Sequence, residues 1–305
     1  MQALLNELVK TCRPYTVRGE VASYIPELNK HDRDDLGAYI ITTEGEQYAA
    51  GDWETEFTMQ SMVKPFLLLL ALQENGIEGV CRQMSVEATG KPFDAINMTD
   101  QKLLREHVNP MVNMGAIELC TMIRGNSTEE RFRKVLAFVR RLSGNANVEL
   151  DEHVFRSERE NGFKNKAMAY LLKAYGLIEE EPMEVLELYF RACSIKLNCR
   201  DLAHMALTLA GHGVSPLMGE RCFSAEYARF VNAILVTCGM YDGSGDFAVR
   251  VGVPSKSGVS GGIFSAVPGK MGVAIYGPAL DPKGNSVAGI KLLEQLSERL
   301  GLSVF

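Results

Sequence analysis

Nothing in the chain is apolar for long enough to cross a membrane: the longest such run, Pro65 to Leu72, falls far short of the ~20 residues a spanning helix needs. It reads instead as a buried helix. A concentrated block of Lys and Arg is also missing and the net charge is −6, so nucleic acid is not expected as a partner. The opening stretch, MQALLNELVKTCRPYTVRGE, lacks both a basic leader segment and a small-residue cleavage site. No signal peptide is expected. The cysteines (Cys12, Cys81, Cys120, Cys193, Cys199, Cys222 and Cys238) are odd in number, scattered and never arranged as CxxC, which argues against a disulfide framework or a zinc site. Buried, reduced thiols in a cytoplasmic protein are the expectation. His31, His107, His153, His204 and His212 show no HExxH or other ligand spacing, which points to structural roles and to no metal or other cofactor.

What the chain does contain is a change of pattern along its length. At 305 residues it can bury a sizeable core in one large or two medium domains. After a short N-terminal helix, VASYIPEL and GAYIITTEGEQYAAGD read as strands and turns, with Gly45 supplying a turn. TEERFRKVLAFVRRLSG places Phe132, Val135, Leu136, Phe138, Val139 and Leu142 on one helical face and ends at Gly144. EPMEVLELYFRACSI and CRDLAHMALTLAGHG repeat the helical pattern. From DFAVRVGVPSKSGVSGGIFSAVPGKMGVAIYGPAL onward, short β-branched runs punctuated by Gly and Pro predict strands, followed by a last helix from about Ser286. Strands at both ends around a helical middle predict an α+β fold whose ends pair in one sheet. The expected division is a discontinuous lobe of residues 1–60 and 236–305 and a mainly helical lobe of residues 61–235, with the site between them.

The chemistry-bearing stretch is MQSMVKPFLLLLALQENG, in which Ser61-Met62-Val63-Lys64 forms an S-x-x-K tetrad. Residues three apart share a helical face, so the lysine amine can approach the serine oxygen. A serine is a weak nucleophile without a base, and an amine serves as one only after losing its proton, which desolvation or a second cation promotes. Such a cation exists in PSKSGVSGG, where Lys256-Ser257-Gly258 supplies a K-S-G word. S-x-x-K followed by K-[ST]-G is the pairing of penicillin-recognising serine hydrolases. Acyl transfer at an amide is the chemistry implied, while the substrate stays open.

The chain resembles the serine-dependent glutaminase family, which has a β-lactamase/transpeptidase-like fold: an antiparallel sheet flanked by helices plus an all-helical lobe. The words that carry the likeness are VASYIPEL, QSMVKPF, NPMVNMGAI, FRSERENGFKN, LYFRACSI, CGMYDGSGDFAVRVGVPSKSGVSGG and MGVAIYGPALDPKGNSVAGI, in the family's order from about Gly19 to Ile290. The resemblance implies hydrolysis of L-glutamine to L-glutamate and ammonia, with Ser61 as nucleophile and Lys64 as general base. Backbone N–H groups of Ser61 and Val259 would form the oxyanion hole, and Tyr241 would help move the proton toward departing ammonia. Asn113 and Asn165 resemble the amides that hold the amino acid, and Glu158 the carboxylate that receives its ammonium. Tyr24 and Tyr189 resemble the site's other tyrosines, and Gln60 stands beside the nucleophile. A homo-oligomer, dimer or tetramer, is also implied.

At Val63 and Pro65 the tetrad departs from the family's usual residues. A proline disfavours the α conformation at the residue before it, here Lys64, so the lysine's geometry is the least predictable feature of the site. Two other readings stand beside hydrolysis of glutamine. A penicillin-recognising hydrolase matches the S-x-x-K and K-S-G words but lacks an S-D-N element and an export signal. A non-catalytic glutamine sensor would keep the pocket without turnover.

Overall fold

The computed structural model describes residues 1–90, 92, 94–96 and 108–305, so His107 lies outside the described residues. Its helices are α1 (Gln2–Cys12), α2 (Lys64–Gln83), α3 (Asn113–Thr121), α4 (Thr128–Ser143), α5 (Glu152–Asn161), α6 (Phe163–Ala174), α7 (Pro182–Cys193), α8 (Cys199–Ala210), α9 (Ala225–Cys238), α10 (Ser244–Arg250) and α11 (Val287–Leu300). Its strands are β1 (Gly37–Thr42), β2 (Gln47–Gly51), β3 (Phe57–Thr58), β4 (Glu149–Leu150), β5 (Ile195–Leu197), β6 (Val214–Ser215), β7 (Glu220–Arg221), β8 (Ser255–Ser257), β9 (Gly262–Val267) and β10 (Met271–Tyr276).

The α+β expectation holds, and the chain ends do pair. The main sheet has the order β2-β1-β10-β9-β8 with antiparallel neighbours throughout, and β1 meets β10 from Gly37 opposite Tyr276 to Thr42 opposite Met271. Strands β1, β9 and β10 are buried at every position because both faces of the sheet are covered. Alternate residues separate accordingly. Ala38 and Ile40 join a core with Leu5 and Leu8 of α1 and Leu292 of α11, whereas Tyr39 and Ile41 join the larger core that α8 shares with the helical middle.

The helical middle follows its apolar periodicity. Helix α4 begins where Ser127 Oγ accepts a hydrogen bond from the Glu130 N–H at 3.2 Å, and it ends at Gly144 in the left-handed conformation, φ +65°. The apolar run of α2 is buried as expected, and the helix breaks at Gly76, φ +72°.

Four local expectations need correction. VASYIPEL forms no strand, and only Glu20 just before it makes an isolated bridge, with Leu280; Pro26 removes a ladder donor, and Ile25 and Leu28 instead cluster with Val154 of α5. Asp246 to Arg250, expected in a β-rich region, lie in α10, because their alternating look spans only one and a half helical turns. A small sheet, β3-β5-β4, also joins the segment before Ser61 to the helical middle, and its strands are too short to show a period. Finally, Cys81 is exposed, while the other six cysteines are buried and all seven are free.

Candidate active site

Strand β3 leads into a 3-10 turn, Gln60–Val63, that carries Ser61 and runs directly into α2 at Lys64. Lys64 is helical, φ −55° and ψ −45°, despite the proline behind it. Pro65 occupies the first turn of α2, where its missing N–H would have no partner in any case. Gln60 just before the nucleophile has φ +47°, and Tyr241 has φ +55°; His212 is the one other non-glycine among the described residues with positive φ. Such conformations cost about 1–3 kcal/mol each, so two of the three strained residues flank Ser61.

Lys64 is fully buried, and its Nζ donates to the Met111 carbonyl at 3.0 Å and to Asn113 Oδ1 at 2.6 Å. Burial depresses its pKa to about 7, with Cys193 and Asp94 pulling weakly the other way. The second lysine, Lys256 on β8, is also fully buried and donates to the Ser257 carbonyl at 2.7 Å. Burial first, and the charge of Lys64 second, drive its pKa far below the ordinary value. Its Nζ lies 4.3 Å from the centroid of the Tyr241 ring. Burial pushes the Tyr241 phenol up, while a hydrogen bond with the Ser61 side chain works in the opposite direction. The two lysine words therefore meet around one serine. The turn after β8 can come this close because Gly258 lacks a side chain: a Cβ there would stand 2.9 Å from the Met59 carbonyl.

In front of Ser61 opens a cleft of about 430 Å³, which Tyr24, Gln60, Asn113, Glu158, Asn165, Tyr189 and Val259 line together with it. Lys64 and Tyr241 stand behind this wall, joined to it through Asn113 and Ser61. Asn113 Nδ2 donates to Asn165 Oδ1 at 2.9 Å, and the Tyr189 hydroxyl lies 3.4 Å from Asn113 Oδ1. At the other end the Tyr24 hydroxyl lies 2.5 Å from Glu158 Oε1 and 3.0 Å from Gln60 Oε1. Glu158 is buried on α5 and its Oε2 makes no hydrogen bond within the described residues. Burial raises its pKa to about 7, against the opposing hydrogen bonds of Tyr24 and Gln60. The arrangement offers a hydroxyl nucleophile at one end and an acceptor for a cation at the other.

The family model named Glutaminase matches residues 19–305, and a glutaminase of Clostridium tetani is 48% identical over 305 residues, covering all of both chains. The chain belongs to the glutaminase family. Glutaminase 2 of Clostridium perfringens is 46% identical over the same full length. Among solved structures, a probable glutaminase from Bacillus subtilis complexed with 6-diazo-5-oxo-L-norleucine superposes with a TM-score of 0.90 at 36% identity, covering 99% of this chain and 95% of that one. A covalent complex of a Bacillus subtilis glutaminase with 5-oxo-L-norleucine, formed by reaction with that diazo compound, gives a TM-score of 0.91 at 35% identity, with 100% and 99% covered. The reaction of this glutaminase is accordingly the hydrolysis of glutamine.

Six residues around the glutaminase cleft escape the sequence reading: Asp94, Asn161, Gly162, Phe163, Lys164 and Cys193. Cys193 lines it and hydrogen-bonds with Tyr189, and burial pushes its thiol up to about 12. Its position four residues after Tyr189 in LYFRAC, on one helical face, was the available signal. Phe163 is 69% exposed at the mouth. Lys164 and Asp94 form an ion pair at 2.5 Å there, and no sequence spacing connects residues so far apart. Among the described residues no cluster of His, Cys, Asp and Glu could hold a metal ion, and no helix is long and apolar enough to cross a membrane.

Proposed function

We propose that glutamine hydrolysis runs through a γ-glutamyl ester on Ser61, with Lys64 as the general base. The observation that carries this reading is the state of Lys64: buried, next to the nucleophile's turn, with a pKa of about 7. A neutral lysine amine has two N–H bonds and one lone pair. The Met111 carbonyl and Asn113 Oδ1 accept from Nζ, and the lone pair of the neutral amine is what takes the serine proton. The amide carbon is attacked by Ser61 Oγ, the C–N bond breaks as ammonia takes up the proton, and water then cleaves the ester to glutamate. Tyr241, whose phenol is influenced by the Ser61 side chain, passes the proton toward the departing nitrogen. The N–H groups of Ser61 and Val259 receive the oxyanion, a device worth about 2.7–4 kcal/mol per donor.

Glu158 receives the substrate's α-ammonium on its unpaired Oε2, within reach of Tyr24 and Gln60, while Asn113, Asn165 and Tyr189 hold the rest of the amino acid. The cleft then lies between a lobe of residues 1–60 and 236–305 and a helical lobe of residues 61–235. Support comes from the smaller core, which draws only on residues up to Ala50 and from Met240 onward. By its family we further infer a homo-oligomer, and its seven free thiols favour a cytoplasmic enzyme.

Ammonia release from L-glutamine, L-asparagine and D-glutamine tests the substrate. Ser61→Ala and Lys64→Ala are each expected to lose several powers of ten, and full activity in either would sink the mechanism. The diazo inhibitor that forms a covalent complex with the Bacillus subtilis relative is expected to label Ser61. Stoichiometric labelling of Ser61 by a fluorescent penicillin would favour the penicillin-recognising alternative instead. Light scattering of the purified chain reads the assembly, and a strict monomer would refute the oligomer.

A further inference from the structure

We infer that Ser244 and Asn285 are positioning residues for glutamine hydrolysis, holding Tyr241 in its left-handed turn so that the phenol meets Ser61. The inference rests on the proton-transfer role proposed for Tyr241.

A bulky aromatic residue with φ +55° does not adopt that conformation unaided. The surrounding side chains impose it. Ser244 Oγ donates to the Tyr241 carbonyl at 2.8 Å and accepts from the Met240 N–H at 3.0 Å. Asn285 Nδ2 donates to the Met240 carbonyl at 3.3 Å, and Lys283 Nζ reaches the Asp242 carbonyl at 3.4 Å. Three successive carbonyls, those of residues 240, 241 and 242, are thus claimed by side chains from outside the turn. Ser244 and Asn285 are buried. Asn285 is itself fixed by Asp281, whose Oδ1 accepts from the Asn285 N–H at 2.9 Å and whose own N–H donates to the Asn285 carbonyl at 2.8 Å.

The far side of the turn shows what this geometry secures. The ring of Tyr241 lies 4.3 Å from Lys256 Nζ, and the Ser61 side chain is the group that works against burial on its phenol. A turn relaxed to negative φ would swing the ring away from both. Ser244 and Asn285 touch neither the cleft nor Ser61, so they act only through Tyr241.

The test separates this role from a general structural one by changing the need for a proton. Departing ammonia must be protonated, whereas methanethiolate leaves the γ-methyl thioester of glutamate as the anion, and kcat/KM reports the steps through acylation for both. Ser244→Ala and Asn285→Ala are expected to lose about tenfold or more of kcat/KM on glutamine and to keep it within about threefold on the thioester. Added to Tyr241→Phe, neither is expected to lower glutamine hydrolysis further. Equal losses on the two substrates, losses additive with Tyr241→Phe, or no loss beside an impaired Tyr241→Phe would overturn the positioning role and leave the Tyr241 assignment standing. A fully active Tyr241→Phe would overturn both.

Discussion

In the proposed mechanism the charge states of Lys64 and Glu158 decide turnover, and burial moves both pKa values to about 7 from opposite sides. As the proposed base, Lys64 must be neutral to take the serine proton, so kcat/KM should fall at least tenfold per unit as pH drops below about 7. A stopped ammonia assay from pH 5 to 9 at glutamine well below KM checks this, and a flat profile would remove Lys64 as the base. For Glu158 the sign runs the other way in stability. Its folded pKa lies above the unfolded value, so its contribution is fully present below about 4.5 and is lost as pH rises through about 7. The empty site at pH 8 therefore holds an ionised carboxylate with one oxygen unpaired. Glu158→Gln is expected to melt higher than the parent at pH 8, with the difference closing at pH 5. The same variant should raise KM for glutamine about a hundredfold or more, because the α-ammonium loses its counter-charge.

Among the elements, α8 packs directly on the main sheet, and the approach depends on Gly272 of β10. A Cβ there would meet the Ala203 carbonyl at 2.2 Å and the Leu207 nitrogen at 2.4 Å, both backbone atoms that cannot turn aside. Gly272→Ala is expected to push α8 off the sheet and lower stability by about 1–3 kcal/mol or more, read from the urea midpoint. Because α8 follows β5, which pairs with β3 ahead of the nucleophile, kcat should fall with it. Periodicity made the helices themselves legible: α4 starts at Ser127 and stops at Gly144 as its apolar face and end residue require. The short strands β3, β4 and β5 were not legible, since two or three residues show no alternation, and their pairing joins segments that no local pattern connects.

At the scale of the whole molecule, closure depends on contacts between the chain's two ends. Helix α1 lies before the span of the family model, which begins at residue 19, yet its Leu5, Leu8 and Val9 are buried in one core with strands β1 and β10 and with α11. Deleting residues 2–12 is expected to expose the face of the sheet, lower the melting temperature by ten degrees or more on the order of several kcal/mol of lost burial, and promote aggregation. Differential scanning fluorimetry checks it; an unchanged melting temperature would show that the sheet is closed without α1.

The sequence by itself determined the reactive residue types and their order: S-x-x-K at Ser61, K-S-G at Lys256, and the words bearing Asn113, Glu158, Asn165, Tyr189 and Tyr241. It also marked where α4 ends, at Gly144, and where α11 begins, at Ser286, because capping and apolar spacing act over a few residues. Only the tertiary structure decided which of these groups meet, and in what state. Lys64 has a pKa of about 7 because distant segments exclude water from it, Glu158 keeps an unpaired oxygen on the wall of the cleft, and the left-handed turn of Tyr241 is met by hydrogen bonds from Ser244 and Asn285. The physical reason is the same in each case: desolvation and strained backbone geometry are properties of packing between residues far apart in the chain, and no local pattern encodes them.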